Sequence, residues 1–187
     1  MKSFLPSMFY YGFPVVLLTT IDKDGNADVT PISCNFTLGT NAVIALVKLN
    51  KAYHNVMEVP EVVFNLPSAE MWEKVEAIAP YTAQNPVPPQ KVGKYAYTDD
   101  KFAIGGFTQL PSEKVRVPRI AECPIQAEAV VKQVNDRGTY ALIELEFVQV
   151  HAEDHLVMEE NKINPLAWEP LIYNFKPVSY THLRAHE

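Results

Sequence analysis

IDKDGNADVTPISCNFTL, residues 21–38, decides the fold, because it joins a hairpin turn to a strand that is unusually poor in side-chain chemistry. Asp24-Gly25 between two apolar runs is the strongest short-range hairpin signal a sequence offers, since glycine accepts the positive φ of a tight primed turn. Phe13–Ile21 and Ala27–Ser33 are therefore expected to pair. The outgoing strand breaks its pattern at Thr30-Pro31-Ile32-Ser33. Pro31 supplies no ladder donor and is tolerated only at an edge, a bulge or a strand end. Such an end leaves neighbouring backbone N–H and C=O groups free for another molecule.

Upstream, Val15–Leu18 is a continuous apolar run flanked by Thr19 and Thr20, as expected of a strand buried on both faces and central to its sheet. Downstream, Ala42–Leu49 reads as a further strand of this kind. Lys51–Glu58 places Tyr53, Val56 and Met57 at helical spacing, and Pro60 stops that helix. A helix that starts where a strand ends is an anion site. Lys51 there is open to two readings, a solvated helix residue or a charge for a phosphate. Glu61–Leu66 is another strand. Pro67-Ser68 then opens a helix with Ser68 as N-cap and Met71, Trp72, Val75 and Ile78 as its core stripe.

The segment from Pro80 to Gly93, PYTAQNPVPPQKVG, has four prolines and no periodicity. Proline fixes φ in advance, so this loop is either a stiff lid or a plain surface connector. Asp99-Asp100-Lys101-Phe102 leads into Gly105-Gly106-Phe107. Pro111–Pro124 is a crossing segment in which Arg116 and Arg119 face either a ligand or a second subunit. Ile125–Val134 and Tyr140–Val150 flank Asn135–Gly138 as a second hairpin, with Ile143, Leu145 and Phe147 on the core face of its second arm. His151 and His155 lie on strand and turn spacing, which splays them and argues against a metal pair.

A chain of 187 residues at 48% hydrophobic fits one domain with a substantial core. Its net charge of −6 argues against nucleic acid or an anionic membrane as principal partner. Cys34 and Cys123 are far apart in sequence and form no CxxC, so a disulfide framework or structural zinc is not expected, and a reducing cytoplasm is the simpler location. No G-x-G-x-x-G follows a strand and no G-x-S-x-G elbow is present, which removes the doubly wound dinucleotide domain and the serine hydrolase. The short strands and turns predict a mainly β, antiparallel Greek-key barrel with a few attached helices.

DGNADVTPISCNF, followed in order by NKAYHNV, FNLPS, the IAPYTAQNPVP run, DKF and PSEKVRVPRIAECPIQAEA, resembles the flavin reductase-like family of FMN-binding split barrels over Phe13–Phe175. The resemblance implies a six-stranded split barrel, a homodimer, and FMN at the subunit interface. It assigns the cofactor to Asp28, Thr30, Pro31, Ile32, Ser33, Cys34 and Asn35, and its phosphate to Asn50, Lys51 and Ala52. Relatives carry hydroxyl side chains in the phosphate segment and many have Trp where Cys34 stands. Lys101 is implied beside the flavin's pyrimidine end, with Asp99 and Asp100 holding or screening its charge. His151 falls where relatives bring a residue near the flavin, and Tyr173 where a ring covers it; a local hydrogen bond and core packing are the alternatives. The implied activity is hydride transfer from NAD(P)H to flavin and onward to an acceptor, with no catalytic side chain and no metal. The alternative is a non-enzymatic FMN electron carrier, and more distantly a B6-phosphate or haem-binding barrel. Residues 1–177 are expected to form the domain. Val178–Glu187, VSYTHLRAHE, resembles a translated sequencing adaptor and is expected to be non-native.

Overall fold

Val16–Ile21 (β1) is buried at every position, as its unbroken apolar run predicts. The computed structural model describes residues 1, 3–5, 11–174 and 179–181. β1 pairs with Ala27–Ile32 (β2), Ile21 opposite Ala27 and Val16 opposite Ile32. The turn between them is wider than the two-residue primed turn expected from Asp24-Gly25. Asp22 explains the difference, because its carboxylate accepts the N–H groups of Asp24 and Asn26 at 3.0 and 2.9 Å and closes a five-residue loop around Gly25, whose φ is +86°.

Asn35–Leu38 (β3) and Asn41–Val47 (β4) form the next hairpin, and Lys51–Glu58 (α1) follows with the predicted bounds. Glu61–Leu66 (β5) also matches its prediction, and Trp72–Ile78 (α2) comes after a single 3-10 turn at Ala69–Met71. Lys101–Gly105 (α3) is a short helix, and Ile125–Asp136 (β6) and Tyr140–Ala152 (β7) are the long second hairpin. These strands make one antiparallel sheet of seven rather than six, in the order β2-β1-β5-β6-β7-β4-β3. The extra strand is β3, where the chain re-enters pairing at Asn35; Pro31 sits within the edge strand β2 opposite Leu17, and pairing runs one residue beyond it to Ile32. Its two edges, β2 and β3, are consecutive in the chain and joined only by Ser33 and Cys34. The sheet must therefore curl to bring its two edges towards each other without pairing them, which is the split barrel in a mainly β, antiparallel frame.

Alternation along β1 feeds two cores. Val16 and Leu18 join Ile44, Leu46, Phe64, Ile143 and Leu145 inside the barrel, while Val15 and Leu17 pack outward against Met71, Val75, Ile78, Phe102 and Leu171. Each fully buried Leu or Ile contributes roughly 1.5–3 kcal/mol relative to exposure. Asn65 of β5 keys the strands together: its Nδ2 donates to Leu17 O at 2.9 Å and to Thr19 Oγ1 at 3.1 Å, and its Oδ1 accepts Ile120 N–H at 2.7 Å. Two helix expectations differ from the structure. Trp72 is exposed rather than core, and Ser68 precedes the 3-10 turn without a side-chain capping bond.

The crossing segment is pinned by carboxylates. Fully buried Glu128 accepts the N–H groups of Glu113, Lys114 and Val115 at 2.9, 2.6 and 3.1 Å, and Glu61 holds Arg116 through its N–H and guanidinium. Ile172–Asn174 pairs with Phe13–Pro14 on one side and Ser179–Thr181 on the other. The other residues of the expected non-native tail, 178 and 182–187, lie outside the described residues.

Candidate functional site

The end of β2, at Pro31 and Ile32, opens onto a cavity of about 640 Å³, in the range of about 300–1,000 Å³ usual for small-molecule sites. One wall is the barrel: Val15, Pro31, Ile32, Ser33, Val47, Asn50 and Tyr173. The rest of the lining comes from the end of α2 and the proline-rich loop, which contribute Glu76, Pro80, Thr82, Lys91, Lys94 and Tyr95 among others.

The two parts meet at Lys91, 7% exposed, whose Nζ donates to Asn50 Oδ1 at 2.5 Å and to the carbonyl and hydroxyl oxygens of Thr82 at 3.1 Å each. All three ammonium hydrogens therefore go to neutral acceptors. Its charge also lies 4.9 Å from the Tyr95 ring centroid. Burial, and then the Lys101 charge, push the Lys91 pKa down to about 8. Among the described residues no carboxylate pairs with it. A buried cation without a counter-ion is electrostatically incomplete, and an anion in the cavity completes it.

Asn50 precedes α1 but spends its side-chain oxygen on Lys91, so α1 has no side-chain cap and no acidic residue in its first turn. Such a terminus favours anions. The donor set thus suits a phosphate near Asn50 and Lys91, beside a barrel wall of backbone and apolar groups that suits a planar heteroaromatic ring. The residues fit FMN on these grounds.

Several predicted positions are placed elsewhere. Pro31, Ile32, Ser33, Asn50 and Tyr173 do line the cavity, whereas Asp28, Thr30, Cys34, Asn35, Lys51, Ala52, Lys101 and His151 are not among its lining residues. Lys51 points its ammonium at Asp22, 3.3 Å away. Ala52 is a member of the barrel core, because the helix turns that side chain inward. Lys101 is 1% exposed, and its partner is Asp28, 2.8 Å away, with Thr30 Oγ1 at 3.4 Å, instead of Asp99 or Asp100. Burial holds the Lys101 ammonium below its ordinary range, with Asp28 pulling upward and Lys51 adding to the downward push. Lys51, Lys91 and Lys101 are thus electrostatic neighbours, two matched by aspartates and one unmatched. Cys34 is exposed at the link between the sheet edges, its carbonyl accepting Ala45 N–H at 3.0 Å. Asn35 reaches Pro14 O at 3.2 Å. His151 is bound to Glu128 at 2.6 Å, a local hydrogen bond. Arg116 goes to Glu61 and Arg119 to Pro111 O and Gln126. Lys91, Thr82 and Tyr95 went unnoticed in the sequence, where the signal was the proline-rich loop as a whole.

The sequence pattern described as Flavin reductase like domain matches residues 8–180. The chain belongs to the flavin reductase-like family. The uncharacterized protein YdfE of Bacillus subtilis (strain 168) is 38% identical over 180 residues, covering 94% of this chain and 86% of that protein. Among solved structures, flavoredoxin of Desulfovibrio vulgaris (Miyazaki F) superposes with a TM-score of 0.83 at 18% identity, covering 100% of this chain and 95% of its own. The FMN-binding protein from Thermus thermophilus with bound 1-cyclohex-2-enone gives a TM-score of 0.75 at 14% identity, covering 100% and 98%. These likenesses share the split-barrel fold of the flavin reductase-like family, in which a flavin-related redox role is the common function. No helix among the described residues is long and apolar enough to cross a membrane.

Proposed function

We propose that this chain binds FMN in the cavity and serves as an NAD(P)H-dependent flavin reductase, acting in the cytoplasm as a homodimer. The observation that carries the reading is Lys91, a buried cation with neutral hydrogen-bond acceptors and no carboxylate, placed at an uncapped helix start on the cavity that the end of β2 also lines. FMN, when bound, supplies the hydride-accepting and electron-releasing chemistry itself. The protein's share is positioning. Pro31, Ile32 and Ser33 offer backbone groups to the ring's polar edge, Val15, Val47 and Tyr173 supply apolar contact, and Asn50, Lys91 and the start of α1 hold the phosphate. The Lys91 charge also favours any added negative charge in the cavity.

The test is titration of the purified protein with FMN, followed by flavin absorption and fluorescence. Stoichiometric binding at micromolar FMN, weakened in Lys91→Met, is expected; no binding overturns the reading. Steady-state consumption of NADH or NADPH by the FMN-loaded protein then separates a reductase from a flavoredoxin-like carrier, which binds FMN equally well but turns over neither nucleotide.

A further inference from the structure

Lys91 combines features that a solvated surface lysine lacks. Its side chain is buried, yet it lines the cavity. Its Nζ is held by Asn50 Oδ1, Thr82 O and Thr82 Oγ1, all neutral, with no carboxylate among the described residues to stabilise the charge. Lys101 lies close enough for its charge to oppose that of Lys91. Desolvation and a neighbouring cation are the two devices that turn a lysine from a solvated charge into a nucleophilic amine. Both act here on a side chain that a small molecule in the cavity meets. The other two lysines of this neighbourhood are already paired, Lys51 with Asp22 and Lys101 with Asp28. The remaining charged or titratable groups around Lys91 are Tyr95, its ring centroid 4.9 Å from Nζ, and Lys94 and Glu76 on the cavity lining.

We infer that Lys91 is a covalent carbonyl site: its neutral amine captures planar aromatic aldehydes in the cavity as an imine, and this adduct and FMN exclude each other. The exclusion rests on the FMN reading; the capture does not. The Nζ lone pair attacks the aldehyde carbon, the C–N bond forms, and the carbonyl electron pair moves to oxygen, which takes a proton from nitrogen. Thr82 Oγ1 is the one partner of Nζ that donates as well as accepts, so it is placed to relay that proton. The resulting carbinolamine breaks its C–O bond, and the oxygen leaves as water with the second nitrogen hydrogen. A C=N bond remains, with no net oxidation or reduction. Val15, Ile32 and Val47 give the lining the apolar surface that suits an aryl ring. Burial, then the Lys101 charge, bring the Lys91 pKa to about 8, so at pH 7.5 Lys91 holds about two hundred times more free amine than an unperturbed lysine. Lower basicity offsets about tenfold of this, on the Brønsted slope known for thiolates, and leaves an advantage of about tenfold.

Benzaldehyde with cyanoborohydride, which reduces the imine to a stable benzylamine, tests this on the purified protein before and after loading with FMN. Peptide mass spectrometry reads the initial labelling rate at each lysine. Lys94, exposed and on the same cavity, is the internal standard. At pH 7.5 Lys91 should label about tenfold faster than Lys94, with a ratio that falls towards one by about pH 10. Bound FMN should slow the labelling of Lys91 at least fivefold. A Lys91 rate no greater than that of Lys94, or a ratio that stays flat with pH, overturns the capture. Bound FMN that leaves the Lys91 rate unchanged overturns the exclusion. Failure of FMN to bind at all, read by flavin absorption before any aldehyde is added, overturns the parent reading instead, and the ratio of Lys91 to Lys94 still decides the capture.

Discussion

Lys91 carries the strongest consequence at the scale of single residues. Its pKa is depressed from 10.5 to about 8, so the folded chain binds fewer protons than the unfolded one between those values, and stability rises with pH across that window. Ligand affinity runs the other way. An anionic phosphate restores the charged form, so FMN binding should be strongest below pH 8 and weaken roughly tenfold by about pH 9.5, with proton uptake on binding. Isothermal titration in buffers of different ionisation enthalpy measures this directly. Lys91→Met should lower affinity about tenfold at pH 7 and flatten the profile; a slope that survives the substitution assigns it to another group.

Lys101 belongs to the same scale with a different role. Removing it leaves Asp28 buried and unpaired, which costs about 3–5 kcal/mol, whereas replacing both partners by apolar residues is close to neutral. Urea denaturation should therefore show Lys101→Met strongly destabilised and the Lys101→Met/Asp28→Leu double variant largely recovered. A single variant as stable as the double one contradicts the pairing.

Among elements, the crossing segment at residues 112–117 depends on Glu128. Burial alone raises that carboxyl's pKa, but the N–H groups of Glu113, Lys114 and Val115 and the His151 ring outweigh it and hold the pKa below the ordinary value of 4.5. A depressed carboxylate contributes stability that is present above its unfolded pKa and lost as pH falls through the lower folded value. Hydrogen exchange of the three amides should accelerate selectively in Glu128→Gln, and in the parent protein only below about pH 4.5. Uniform acceleration across the barrel points to global unfolding instead.

The elements also show what a sequence can and cannot disclose. α1 and β5 were readable because local periodicity and a flanking proline set their bounds. β3 was not, since a strand of four residues, three of them exposed and none buried, leaves no burial pattern to detect. At the site, Pro31 announced a strand end by its missing donor. Lys91 carried no local signal, because its meaning comes from Asn50 and Thr82, 41 and 9 residues away. Lys101 was noticed for its neighbours in sequence, yet its partner is 73 positions distant.

For the whole molecule, the edge strand β3 presents Phe36 and Leu38 at 58% and 76% exposure. An apolar sheet edge of this kind invites uncontrolled pairing unless something covers it. A second copy of the chain is the proposed cover. Light scattering of the FMN-loaded protein should give a dimer at micromolar concentration, and Leu38→Asp should shift it to monomer with at least tenfold weaker self-association. A parent protein that is monomeric with FMN bound removes the dimer from the proposal.

β1 reads VLLTTI, and both of its faces are buried. Slide that strand by one position and the barrel interior receives Leu, Thr and Ile in place of Val, Leu and Thr, an exchange that strands no charge and exposes no apolar group. Hydrophobicity, which normally fixes the reading frame of a strand, is nearly blind here. The frame is decided by polar keys: Asn65 recognises Leu17 O and Thr19 Oγ1, and Asn55 recognises Thr20 Oγ1 at 3.0 Å. Asn65→Leu is then a decoding error as much as a lost hydrogen bond, and it should yield two slowly exchanging sets of amide signals for β1, where a simple loss of stability gives one.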